Sequence, residues 1–400
     1  MVQPLDELNS PLFEQPREIV SAEKIRKPTR HYPELDALRG VAAFIVVLGH
    51  FGRLWEPASV TQPVLSLLRT LFQLGGGAAV VLFFLLSGFV LSLPYKRGTS
   101  LPYGNFALRR IARIYIPYLA AVLLAVLGYW QLQGRLPLSA WFNQTWTQPL
   151  TGRVILSSAL LIGNYDTSLV NTAFWSLAVE MRLSLLFPFL CIPLLRRGRG
   201  VVLLGVCGAV LLDFLVSRLL QHHLDASTFR NATDMTLGLM CFVVGILLSR
   251  SFDKIHGIWS RFSPNTQWLF FGISTLLLEF GALLGELHYV GVAANTVQIL
   301  GGAGVLVSVL FSDGLHSLLN RQWPVLLGRM SYSLYLVHGT VLFTLVHVFF
   351  GRTSLPSLFV PYVACSLGLA WLFFISVEKP AIWLSRQIGG RKPREMISAL

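Results

Sequence analysis

Ten apolar stretches, each about the length needed to cross a bilayer core, alternate with short polar connections. They lie near residues 36–56, 75–95, 111–130, 173–195, 201–220, 232–249, 267–284, 290–311, 327–350 and 357–384. Runs of this length have no room for strand-and-turn punctuation. The pattern therefore predicts an all-α fold, a polytopic transmembrane helix bundle of about ten spans. A further apolar run, 148–165, falls in the longest connection. If it dips into the membrane, its backbone polar groups need cover from the rest of the protein. Residues 1–30 are polar and Pro-containing and end in Lys24, Arg26, Lys27 and Arg30. They are expected to form a disordered or surface-lying arm, with residues 31–386 as the transmembrane domain and residues 387–400 as a basic tail.

Composition agrees with the pattern. Of 400 residues, 54% are hydrophobic and only 13% charged, where soluble domains carry about 25% charged residues. The net charge of +13 invites a nucleic-acid reading, but the basic residues cluster in short runs between apolar segments. With the N-terminus inside, and basic residues near span ends counted with the adjoining connection, 22 of the 32 Lys and Arg fall in the arm, the inner connections and the tail and 7 in the outer connections; Arg39, Arg182 and Lys379 lie within spans. That asymmetry predicts both termini cytoplasmic and a lipid bilayer as the partner surface, with no nucleic acid. Cys191, Cys207, Cys241 and Cys365 all lie in apolar segments and suggest neither a disulfide framework nor a metal site.

Polar residues inside the spans carry the candidate chemistry. The first span holds Asp36, Arg39 and His50. Arg39 and His50 are eleven residues apart, about 16 Å of helical rise, and only roughly 20° apart in azimuth. Asp36 falls on nearly the same stripe. A charge in hydrocarbon costs about 2.5–3.5 kcal/mol even on lenient insertion scales, so a passive anchor is a poor account of this helix. Asp36 and Arg39 as interfacial anchors, with His50 simply hydrogen-bonded, is the plainer alternative.

Five other places stand out. Ser87, in the small-residue second span, suits either helix packing or an interhelical hydrogen bond. Arg109, Arg110 and Arg113 crowd about one helical turn, as topology anchors or as a phosphate cradle. Glu180, in FWSLAVEMRL with Trp175 and Arg182, is placed by the span boundaries at a depth similar to His50. There it would orient the imidazole, or pair with Arg182 or Arg230 as a structural lock. His338, about eleven residues into the ninth span, reads as a packed residue more readily than as a catalyst. Glu378 reads as a helix-end ion pair with Lys379 or a neighbouring arginine.

Taken together, LDALRG with Arg39 and His50, FFLLSGFV, RRIAR, FWSLAVE, SYSLYLVH and SVEKP resemble, in this order, the acyltransferase-3 family of integral membrane O-acyltransferases. The resemblance covers about residues 32–385. It implies a ten-helix acyltransferase domain that moves a short acyl group, acetyl or similar, from acyl-CoA to a hydroxyl of a carbohydrate or glycosylated acceptor. By the family pattern Arg39 and His50 are the essential pair, Arg110 and Arg113 lie on the donor side, and Glu180 is a further functional carboxylate. The chain departs from many members in the Met181–Ser184 run after this Glu, and no fused hydrolase-like domain is expected. Acyl-CoA is the expected co-substrate; no bound cofactor or metal is expected. The membrane follows from the source: plasma (inner) membrane in a bacterium, an internal membrane in a eukaryote. The rival from another class is a proton-coupled transporter or exporter, since intramembrane His, Glu, Asp and Arg also suit a proton relay; acyl-CoA dependence separates the two. A purely structural or receptor bundle leaves the Asp36–Arg39–His50 stripe without a role.

Overall fold

The computed structural model describes residues 32–55, 63–161, 167–219, 223–286 and 291–388. The N-terminal arm and nearly all of the C-terminal tail lie outside the described residues. Among the described residues the fold is helical throughout, without a β-strand. In chain order the helices are α1 (Pro33–Gly52), α2 (Pro63–Lys96), α3 (Tyr103–Arg110), α4 (Ile116–Leu132), α5 (Gly152–Leu160), α6 (Phe174–Arg196), α7 (Arg199–Leu219) and α8 (Ala226–Arg250). They continue with α9 (Phe252–Trp259), α10 (Pro264–Glu286), α11 (Gly291–Phe311), α12 (Asp313–Leu319), α13 (Gln322–Arg329), α14 (Ser331–Phe349), α15 (Phe359–Phe373) and α16 (Lys379–Gln387). Ten helical segments among the described residues are long and apolar enough to cross a membrane. They coincide with the ten stretches read from the hydrophobic pattern, and the protein is a multi-pass integral membrane protein.

Burial sorts the spans into inner and outer. In α2, α11 and α14, 67% of the apolar window is buried within the protein, against 17% in α7. The outer spans show leucine, phenylalanine and valine to lipid, and α7 turns its one carboxylate, Asp213, inward onto Thr236 and Asn295. α1 packs against α2, α13 and α14. Its Gly40 permits the closest of these approaches: a Cβ there would fall 2.5 Å from the Leu327 carbonyl carbon of α13, and one on Gly328 would fall 2.5 Å from the Asp36 carbonyl oxygen. This mutual glycine contact is the packing reason for the glycine that ends LDALRG.

Two spans contain a π turn, and each π turn is followed closely by a proline. Ile111–Tyr115 joins α3 to α4 just before Pro117, and Phe374–Glu378 joins α15 to α16 just before Pro380. Proline has no N–H to give to the carbonyl four residues back and its ring clashes there. The wider π turn accommodates both defects. α16 packs on the first π turn, so RRIARIYIP and SVEKP, far apart in sequence, meet in space.

The described part of the apolar run 148–165, residues 148–161, contains α5, which at nine residues is too short to span; residues 162–165 lie outside the described residues. Thr151 caps its start and Leu161, at φ 54°, ends it. The cover its backbone needs is present. Tyr118 donates its hydroxyl to the Ser158 carbonyl at 2.6 Å, and Arg182 donates Nε to the Leu161 carbonyl at 3.1 Å. Both donors act at the C-terminal, electronegative end of α5, where a cation is favoured.

Candidate active site

The polar side chains of α1, α3, α6 and α14 form a column with a cationic end and an imidazole end. At the cationic end, Arg39 pairs with Asp36 one helical turn away, N–O 3.3 Å. From α3, Arg110 reaches α6, where Nη2 lies 3.3 Å from Glu180 Oε1 and 2.7 Å from Ser184 Oγ. Ser87 of α2 donates to the same Glu180 oxygen at 3.0 Å. Arg39, Arg110 and Arg113 interact electrostatically with one another, and Glu180 acts on both Arg39 and Arg110. Glu180 thus faces two of the guanidinium groups, Asp36 is tied to Arg39, and Arg113 interacts with Glu378. Arg110 Nε is buried and has no hydrogen-bond partner among the described residues.

Above the cluster the column continues along α14. Tyr332 donates to the Ile114 carbonyl of the π turn at 2.7 Å. Tyr335 shares a 2.7 Å hydrogen bond with Ser176 of α6. One turn further, His338 Nε2 lies 3.1 Å from His50 Nδ1, with ring centroids 4.7 Å apart. His338 is fully buried, and its Nδ1 lies 3.0 Å from the Leu334 carbonyl. Trp141 stands edge-on to the His50 ring at 5.0 Å. The loop carrying it is pinned to the end of α1 through Ser139, which donates to the Arg53 carbonyl from Oγ and to the Leu54 carbonyl from its amide.

The structure redistributes several expected roles. His50 finds His338, which had read as a packed residue. Glu180 bonds Arg110 and Ser87, and the expectation that it orients the imidazole is corrected. Depth is the reason. Tyr335 meets Ser176, and Thr340 lies 3.4 Å from Asn171, which precedes α6. His338 is therefore level with the first residues of α6, whereas Glu180 lies six residues, about 9 Å, further along it. Ser87 belongs to the Glu180 network as well as to the packing of α2.

Glu378 interacts electrostatically with Arg113, the neighbouring-arginine alternative, and takes a further role. Its Oε2 accepts from the Ser333 amide at 3.2 Å and from the Ser333 hydroxyl at 2.5 Å, so it caps the N-terminus of α14. An orphan helix N–H and the positive end of the helix stabilise a carboxylate there, while Lys379 is exposed. Arg109 donates Nε to the Ile388 carbonyl at 2.6 Å, binding α3 to the end of α16. Trp175 is half-buried and makes no hydrogen bond or ring contact to the two histidines among the described residues. Tyr332, Tyr335, Ser176 and Trp141 went unremarked in the sequence. The signal for the first two was available: Tyr332, Tyr335 and His338 recur every three residues in SYSLYLVH, which lays them along one helix face.

Comparison with known proteins gives the class of this ten-span bundle with its arginine cluster and histidine pair. A family model described as an acyltransferase domain, that of the acyltransferase-3 family, matches residues 32–375, and the chain belongs to this family. Over 385 residues it is 25% identical to nodulation protein 10 of Rhizobium leguminosarum bv. viciae, covering 90% of this chain and 96% of that protein. It is 27% identical to acyltransferase MdmB of Streptomyces mycarofaciens, also over 385 residues, covering 90% of this chain and 93% of the relative. No solved structure matches the chain significantly.

Proposed function

We propose that this acyltransferase moves a short acyl group, acetyl or similar, from acyl-CoA to a hydroxyl of a carbohydrate or glycosylated acceptor. The observation that carries the reading is the separation of the two ends of the column. α1 is an unbroken helix from Arg39 to His50, so the arginine cluster and the imidazole stand about 16 Å apart. A coenzyme A thioester has this layout, with phosphates at one end of an extended pantetheine arm and the reacting carbonyl at the other. The buried, unpartnered Arg110 Nε suits a phosphate oxygen, which planar guanidinium groups bind through paired N–H donors.

The same length favours one of two roles for Arg39. A group that stabilises a developing oxyanion must stand about 2.7–3.1 Å from it. From the far end of α1 Arg39 meets donor phosphate instead. At the imidazole end, His50 acts as general base: the acceptor oxygen attacks the thioester carbonyl as its proton passes to the imidazole. The C–S bond breaks, and the imidazolium returns the proton to the leaving thiolate. In the alternative route the imidazole itself accepts the acyl group and passes it on. Glu180 partly neutralises the arginines while the donor site is empty.

The test uses purified protein in nanodiscs with radiolabelled acetyl-CoA and succinyl-CoA and a panel of sugar-bearing acceptors. His50→Ala, with folding intact, should abolish label transfer. Transfer that survives this change would remove His50 from the mechanism. Absence of turnover with every acyl-CoA would favour a proton-coupled transporter or a different donor.

A further inference from the structure

We infer that His338 sets the tautomer of His50, so that Nε2 of His50 is the nitrogen that receives the acceptor proton. The inference rests on the reading of His50 as base. It follows from acceptors that cannot donate. His338 Nδ1 lies 3.0 Å from the Leu334 carbonyl oxygen. A carbonyl has lone pairs and no proton, so Nδ1 of His338 carries the hydrogen. The ring is fully buried, and among the described residues its contacts are the backbone of Leu334 and Tyr335, the His50 imidazole and the Tyr335 ring, with no carboxylate. An unpaired charge at such a site is costly, so the ring is neutral and its Nε2 is an acceptor. The 3.1 Å contact to His50 Nδ1 then requires His50 to donate. His50 therefore holds its hydrogen on Nδ1, and its Nε2 lone pair has no hydrogen-bond partner among the described residues.

The chain of donors runs in one direction, from His50 Nδ1–H to His338 Nε2 and from His338 Nδ1–H to Leu334. It does for His50 what a hydrogen-bonded second group does for other catalytic histidines, which is to choose the nitrogen left free and hold the ring in plane. Trp141, edge-on at 5.0 Å, restricts the ring from another side. In the transfer step the acceptor O–H proton goes to Nε2, the oxygen–carbonyl bond forms and the C–S bond breaks. Through that step the Nδ1 hydrogen stays in its bond to His338. An acyl-imidazole, where that route is taken, would likewise form at Nε2. His338 is a positioning residue in this scheme and touches neither substrate.

The test reads the tautomer directly and needs no substrate. Protein labelled with 15N-histidine in nanodiscs is examined by magic-angle-spinning NMR near neutral pH, the His50 signals being identified by their loss in His50→Asn. The wild type should show His50 with a protonated Nδ1 and an unprotonated Nε2. His338→Ala should shift His50 toward Nε2–H and lower kcat roughly 100-fold, with KM for the donor nearly unchanged. His338→Gln, whose side-chain oxygen can accept from Nδ1, should restore both the tautomer and most of the rate. A wild-type His50 protonated at Nε2 would overturn the inference even if the variants failed to fold. So would an unchanged tautomer and rate in His338→Ala. The expected tautomer without turnover on any acyl-CoA would support the positioning role of His338 and count instead against the transferase reading.

Discussion

At the scale of residues, the two ends of the column should fail differently when altered. Arg110 sits at the proposed donor end, so on this reading its loss should act on donor binding. A charge-assisted hydrogen bond contributes about 2 kcal/mol, on the order of 30-fold in an equilibrium constant. Arg110→Ala is thus expected to raise KM for acyl-CoA by roughly that factor while kcat at saturating donor changes little, measured by initial rates against donor concentration. Arg110→Lys keeps the charge but loses the separate, unpartnered Nε donor, and should recover only part of the loss. His50→Ala should instead remove kcat while leaving donor binding in place, read by equilibrium binding of acyl-CoA to the inactive variant. Equal damage to both parameters from both changes would contradict a column with separate binding and chemical ends.

At the scale of elements, packing and capping make separate predictions. The contact of α1 with α13 depends on the absence of a side chain at Gly40. Gly40→Leu should therefore force the two helices apart and destabilise the protein by about 1–3 kcal/mol, seen as a lower thermal-unfolding midpoint in detergent. Because α1 carries both Arg39 and His50, activity should fall with it. At the start of α8, Asp225 accepts from the hydroxyls and amides of Ser227 and Thr228. Foremost the Ser227 hydroxyl, then the Thr228 donors, hold this exposed carboxyl below the usual carboxylate range. Because its folded-state value is lowered, the stability it contributes is present above the unfolded value of about 3.9 and is lost as pH falls through the lower folded value. An Asp225→Asn variant should accordingly melt slightly below the wild type at neutral pH, and the gap should close only well into acid, followed by thermal melts across a pH series.

At the scale of the whole molecule, orientation is the property that links the column to its two substrates. Acyl-CoA is made in the cytoplasm, so the arginine end should face inward and the Trp141 loop outward, as the Lys and Arg distribution predicts. Cysteine introduced at Gln144, in that loop, should react with a membrane-impermeant maleimide in intact cells. Cysteine at Ser260, after α9, should react only once the membrane is permeabilised. Both positions are solvent-accessible, so the reverse pattern would invert the topology and put the donor site on the wrong side for cytoplasmic acyl-CoA.

Much of this protein was legible in the sequence. The ten spans follow from hydrophobic length alone, because a bilayer imposes one thickness on every helix that crosses it. The stripe from Asp36 through Arg39 to His50 is likewise a local property, since one continuous helix fixes both its spacing and its face. The α5 segment was legible as a question: its apolar run was visible, but its depth depends on Tyr118 and Arg182, which reach it from other helices. The partners of the charged and imidazole groups were decided only by tertiary structure. Which helix stands beside which, and at what relative height, is set by the glycine contacts and the packing of α1, α6 and α14. A slide of two turns along α6 separates Glu180 from the imidazole and joins it to Arg110. That slide is invisible to any count of residues from a span boundary. For the same reason His338, one histidine in an apolar helix by sequence, became the partner of His50 only when α1 and α14 were packed side by side.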